Sequence, residues 1–150
     1  MRTEFQARNR ERGVMLIEAL IAILIFSIGI LAVVGMQSIA IKNVTESKYR
    51  SEAAFLAEEL LAQMWIDNGN IALYAYPGTG TVPPRLTGWA ARVNGVDGKL
   101  PGAVPPKVTI TGATAQGATV TIEVFWRLPE ETTLGLPPHN HTVMATVYTS

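Results

Sequence analysis

Cysteine is absent from the 150 residues, which excludes a disulfide framework, a thiol nucleophile and a thiolate metal site. All nine prolines lie beyond residue 68, so no proline interrupts a helix before that point. Charge is nearly missing from residues 14–36, where Glu18 is the sole charged side chain among 23 positions. Net charge is missing altogether: 12 basic and 12 acidic side chains balance, which excludes a generally basic nucleic-acid binder and an acidic disordered chain. Nor is there a Gly-rich phosphate loop, a G-x-S-x-G nucleophile elbow or a dinucleotide fingerprint.

What is present is asymmetric. Residues 1–12 carry Arg2, Glu4, Arg8, Arg10, Glu11 and Arg12, and the apolar run Val14 to Met36 follows directly. As a helix that run is about 34 Å long at roughly 1.5 Å per residue, enough for a hydrocarbon core about 30 Å thick. Four arginines against two glutamates before it predict a cytoplasmic amino terminus and an exported C-terminal part. Three readings compete: a removable secretory signal cut near Ser38-Ile39-Ala40, a permanent anchor, and a buried helix of a soluble protein. The run exceeds the roughly 7–15 apolar residues of a signal, and its arginine-rich flank fits a membrane better than a core.

Glu18 separates an ordinary anchor from something more specific. An acidic side chain at the centre of a membrane helix costs about 2.5–3.5 kcal/mol, and less near the interface. Either Glu18 stays hydrated at the cytoplasmic side, or it pairs with a cation after assembly.

The stretch Arg12-Gly13-Val14-Met15-Leu16-Ile17-Glu18-Ala19-Leu20-Ile21-Ala22 resembles the class III leader junction of type IV prepilins. The resemblance implies cleavage after Gly13 by a prepilin peptidase, methylation of the new amino terminus at Val14, and retention of the apolar segment. The family usually has phenylalanine where this chain has Val14, and serine or threonine where it has Met15. Removal of residues 1–13 would leave eight basic and ten acidic side chains. Glu18 would then offset the Val14 ammonium of a neighbouring subunit within a low-dielectric helix bundle, which makes it an assembly residue. Gly29 and Gly35 each cost about 1 kcal/mol of helix stability relative to alanine. They read either as close-packing positions between helices or as points where the segment loosens on leaving the lipid. Many pilins have proline in this region, and Gly35 takes a similar location.

Residues 37–68 continue the helix with an amphipathic pattern. Ala53, Leu56, Ala57, Leu60 and Met64 recur on one face, Lys48, Glu52, Glu59 and Gln63 line another, and Glu46 and Arg50 stand at i,i+4 spacing. Asn68-Gly69-Asn70 supplies a stop. Residues 69–106 read mainly as irregular surface structure, either an ordered loop packed on a sheet or a functional surface, punctuated by Pro77-Gly78, Pro83-Pro84, Asn94-Gly95, Asp97-Gly98, Pro101-Gly102 and Pro105-Pro106. Tyr74, Tyr76 and Trp89 are expected to anchor that connection on the core. A period of two then marks three strands: Val108 and Ile110; Val120, Ile122, Val124 and Trp126; and Val143, Ala145 and Val147. The expected fold class is α+β, a long helix packed on a small antiparallel sheet, with residues 69–150 forming a β-rich exported head.

Other chemistry has little support. His139 and His141 are expected to be exposed loop histidines with no metal, and Glu130-Glu131 a solvated turn. Residues 69–150 carry five basic and four acidic side chains, too even a balance for a nucleic-acid partner. No cofactor and no enzymatic activity are expected.

Two further stretches, Ile25 to Gln37 and Tyr49 to Met64, resemble the family of type IV pilus modification proteins, the minor pilins called PilV. That resemblance implies a low-abundance subunit which helps initiate pilus assembly and joins a tip complex with other minor pilins, the major pilin and an adhesin. Its site would be the inner membrane first and the pilus afterwards, with roles in adhesion and twitching motility. The alternatives are a minor pseudopilin of type II secretion and, from another class, a signal-anchored periplasmic binding domain.

Overall fold

The computed structural model describes residues 4–94 and 98–149, with side chains from Gly13 onward. The leader charges Arg2 to Arg12 therefore lie outside the described side chains, and Gly95 and Asp97 of the two expected turns lie outside the described residues. The chain divides into two compact units, Met1–Thr45 and Glu46–Ser150, and helix α1 (Glu4–Ile66) contributes to both.

Among the described residues of the first unit, α1 is the one element. Its helix continues through Gly29 and Gly35 as well as upstream of Val14, without proline or a non-helical break. The helix suits its sequence because Leu, Ala, Met and Ile hold no competing polar groups. The one hydroxyl in the apolar run, Ser27, donates to the carbonyl of Ile23 at 2.7 Å and so satisfies itself within the helix.

The second unit is α+β, as the sequence patterns require. Its sheet has three antiparallel strands in the order β1 (Lys107–Thr114), β2 (Gly117–Trp126) and β3 (His139–Tyr148). The pairing runs without a slip from Gly117↔Tyr148 to Trp126↔His139, while β1 bulges between Thr111 and Thr114, where Gly112 has φ +62°. Val120, Ile122, Val124 and Trp126 of the central strand are buried, with Glu123 and Phe125 only half so. The opposing layer is α1, whose Ala53, Leu56, Ala57, Leu60 and Met64 are all fully buried. These positions are the i, i+3, i+4, i+7 and i+11 residues of one helical stripe, so a single face reaches the core.

Residues 69–106 follow the reading of an ordered connection packed on the sheet, with Tyr74, Tyr76 and Trp89 buried in the core, but they are more regular than the irregular structure expected of them. They contain most of a 3-10 segment (Asn68–Tyr74), a second short one (Pro84–Leu86) and helix α2 (Thr87–Asn94). Eight of the twenty residues in the core cluster come from this stretch: Ile71, Tyr74, Tyr76, Leu86, Trp89, Ala90, Val93 and Leu100. The proline and glycine pairs punctuate it without unfolding it, because apolar side chains between the turns bury against the helix and the sheet. Tyr76 also exchanges two backbone hydrogen bonds with Val108, at 2.9 and 2.8 Å, which ties the stretch to the outer edge of β1. Arg92 pairs with Glu59 and Lys99 with Glu52, so the polar flank of α1 receives cations from the same stretch.

The remaining helix, α3 (Pro129–Thr133), lies in the connection between β2 and β3. Proline at its first position needs no donor there, and the Glu131 carboxylate accepts the backbone N–H of Leu128 at 3.0 Å.

Candidate functional site

The apolar half of α1 has every described side chain from Gly13 to Val44 exposed, Leu16 at 66% and Leu31 at 70%. A core helix of a soluble protein would be covered. Here the most apolar stretch has none of its residues buried, and α1 is long and apolar enough to cross a membrane. The uncharged stretch continues past Met36 to Ile41 and ends at Lys42.

Within it, Val14 and Glu18 are four residues apart, which puts them on one helical face about 6 Å apart along the axis. No described side chain forms an ion pair with Glu18. A Cβ placed on Gly13, Gly29 or Gly35 would meet no atom within 4 Å, so none of the three is required by packing inside the chain. Phe26, Gly29, Ile30, Val33, Val34 and Gln37 border an open apolar groove along the helix surface. Gly13, Val14, Glu18, Gly29 and Gly35 are thus carried on one continuous helix and leave their contacts available to other molecules.

The second unit holds a cluster that the sequence did not reveal. His139 is the first residue of β3 rather than a loop residue, and its ring stacks on Trp126 with centroids 5.6 Å apart and planes 15° from parallel. Its Nε2 lies 2.9 and 3.0 Å from the two carboxylate oxygens of Glu131, and its Nδ1 lies 3.9 Å from Glu46 on α1. The expected solvated turn is corrected in the same way: Glu130 is exposed, but Glu131 is only 9% exposed and turns inward. A carboxylate that would otherwise be buried alone gains a backbone N–H and an imidazole N–H, which offsets its desolvation. His141, two residues on, is half-buried opposite Val124. Among the described residues no group of three or more metal-ligating side chains converges. The Leu128-Pro129-Glu130-Glu131 order, with proline first and glutamate third, was the local signal for the cap. The partnership with His139 had none.

A second polar cluster ends the long helix. The Asp67 carboxylate accepts from Asn70 Nδ2 at 2.7 Å and from the Tyr74 hydroxyl at 2.8 Å, and Arg85 pairs with it. The hydrogen bonds from Asn70 and then Tyr74, with the Arg85 charge, hold the Asp67 carboxyl below its ordinary value near 3.8, against a smaller opposing effect of burial. Burial, followed by the bond to Asp67, pushes the Tyr74 phenol above its ordinary 10.0. This cluster gathers around the C-terminal end of α1 at Ile66.

Compared with family models, curated proteins and solved structures, the chain matches none.

Proposed function

We propose that the chain is a minor pilin of the PilV kind, made as a prepilin in the inner membrane and assembled through α1 into a type IV pilus. The observation that carries this reading is the uncovered apolar helix surface from Val14 to Ile41, interrupted only by Glu18 one turn beyond Val14. An anchor needs the apolar length, but the acidic side chain adds only a cost to insertion. That cost acquires a purpose once cleavage after Gly13 frees an ammonium on Val14. In a bundle of such helices, the glutamate of one subunit then neutralises the amino terminus of its neighbour, and breaking a buried pair of this kind costs about 3–5 kcal/mol.

In this reading the prepilin peptidase acts on the cytoplasmic side, and the second unit faces the periplasm. Gly13 weakens the helix at the scissile bond by about 1 kcal/mol relative to alanine, which eases the local unwinding that a peptidase needs. The function is organisational: α1 joins the bundle with the major pilin and other minor pilins, while the second unit selects neighbours and a tip adhesin. No chemistry is assigned to any side chain.

The test begins with intact mass and N-terminal sequencing in cells that contain prepilin peptidase. A methylated chain starting at Val14 is expected, and a stable chain retaining residues 1–13 would reject the reading. Deletion should then abolish or reduce surface pili; loss of protein secretion with normal pili would assign the chain to a type II secretion apparatus instead. Glu18→Ala should insert in the membrane normally and fail to enter pili.

A further inference from the structure

We propose that the outer edge of β3 is an interaction surface, and that it takes an uncharged extended segment of another protein as the fourth strand of the sheet. The edge follows from the second unit alone, so it stands whether or not α1 enters a pilus.

The hydrogen-bond phase of the sheet shows which groups face outward. In an antiparallel pair a residue directs both its N–H and its C=O to one side, and its neighbours in the strand direct theirs to the other. The Thr149 N–H donates to the Gln116 carbonyl at 3.1 Å, and these two residues continue the β2–β3 register. His139, His141, Val143, Ala145 and Val147 therefore bond to β2, while Asn140, Thr142, Met144, Thr146 and Tyr148 direct their backbone groups away from it. The far side of the sheet gives the same phase: Tyr76 bonds to both backbone groups of Val108, so Val108 faces out of the sheet and its register partner Ile122 faces β3. Five residues thus present N–H and C=O groups along the edge, and among the described residues no backbone or side chain bonds to them.

Proteins ordinarily protect a sheet edge with a short strand, a bulge, proline, charged side chains or a covering segment. The outer edge of β1 has two of these devices, the bulge between Thr111 and Thr114 and the cover of Tyr76 at Val108. Among the described residues β3 has none. It is ten residues long, pairs with β2 without a slip, and contains no proline, Asp, Glu, Lys or Arg.

That chemistry sets the occupant. Donors and acceptors repeated at every second residue match the backbone of an extended chain. A partner strand of full length gains about ten hydrogen bonds, the number in a standard protein interface. Met144 at 69% and Tyr148 at 63% exposure stand four residues apart on the outer face, with Thr142 and Thr146 also exposed. Apolar partner side chains suit the places beside Met144 and Tyr148, and a charged one would find no opposite charge along β3. On the inner face Val143 and Ala145 are only half-buried, whereas Ile122 and Val120 opposite them are buried. The core is open at this edge, and an apolar side chain of the added strand closes it.

Amide exchange of the detergent-solubilised full chain, followed by NMR, tests the proposal. The probe is a synthetic ten-residue peptide alternating threonine and valine, carried on a polyethylene glycol tail; the control is the same peptide N-methylated at every second residue along one edge. Without peptide, the amides of Thr142, Met144 and Thr146 should exchange at least about tenfold faster than those of Val143, Ala145 and Val147. Peptide at millimolar concentration should slow the fast set about tenfold, and the methylated control should not. Met144→Lys and, separately, Thr146→Pro should weaken that protection severalfold while Val143 and Ala145 stay slow, which shows that the β2–β3 ladder is intact. Slow exchange of both sets without peptide, equal protection by the methylated control, or protection confined to β1 would overturn the proposal. Protection that rises with the concentration of the chain itself, without peptide, would overturn the choice of partner and assign the edge to a second copy.

Discussion

The indole Nε1 of Trp89 donates a 2.8 Å hydrogen bond to the backbone carbonyl oxygen of Leu56, thirty-three residues earlier on α1. Trp89 is buried on α2, and the Leu56 oxygen already belongs to the helical ladder, so one carbonyl accepts from two donors. The bond pins the segment after α1 to the middle of its buried stripe. Trp126 is the contrast: it is also fully buried, and its Nε1 has no hydrogen-bond partner among the described residues.

Substituting each tryptophan by phenylalanine should separate these situations. Both variants lose indole volume, but Trp89→Phe also loses a hydrogen bond, whereas Trp126→Phe removes an unsatisfied donor. Trp89→Phe should therefore be the more destabilised by about 1–2 kcal/mol in thermal unfolding of the detergent-solubilised chain. Equal losses would mean that the Leu56 contact contributes nothing.

Acid should act on Asp67. Its carboxyl is held below 3.8 in the folded protein, so its contribution to stability is complete above the unfolded value and is lost as the pH falls through the lowered folded one. Tyr74 has the opposite sign: its raised value gives a contribution that is present below about pH 10 and lost as the pH rises through the folded value. Asp67→Asn should flatten the acid limb of a melting-temperature profile below pH 4 relative to the parent. A profile of unchanged slope would show that the carboxylate is not held as described.

Glu131 should be worth more than its exposed neighbour. Removing it leaves the Leu128 N–H and the His139 ring without their acceptor at a buried place, while Glu130 is exposed. Glu131→Ala should cost about 1.5–3 kcal/mol, and Glu130→Ala no more than about 0.5 kcal/mol. The two values are read from denaturant titrations of otherwise identical samples.

Gly117 starts β2 with φ +145°, and a Cβ there would stand 2.3 Å from the Val147 carbonyl oxygen and 2.9 Å from the Tyr148 Cα. Both neighbours are backbone, so neither can swing away. Gly117→Ala should lower stability by about 1–3 kcal/mol, with the largest amide chemical-shift changes at Val147 and Tyr148. Gly80→Ala, where nothing lies within 4 Å but φ is +82°, should show the smaller cost of backbone strain alone.

Wherever the controlling physics is local, the amino-acid order was enough. A helix repeats every 3.6 residues and a strand every two, so the buried stripe Ala53 to Met64, the three strands and the uncharged run from Val14 could be read from spacing. The same holds for Glu18, since a charge in an apolar segment stands out without any fold. Residues 69–106 were legible only in part: Tyr74, Tyr76 and Trp89 were expected on the core as large aromatics and are buried there, but the other core side chains of the stretch follow no period. Ile71, Leu86, Val93 and Leu100 are buried by what folds over them, and short helices between prolines leave too few turns for a pattern to show. His139 and Glu131 failed for a related reason. Their eight-residue separation says nothing until the β2–β3 register sets His139 opposite Trp126, over which its ring stacks, and that register is decided by burying one face of the sheet against α1. Sequence determined the long helix with its apolar half and the three strands; tertiary structure decided the order of residues 69–106 and which polar groups meet, because long-range pairing is chosen by the core and not by neighbours in the chain.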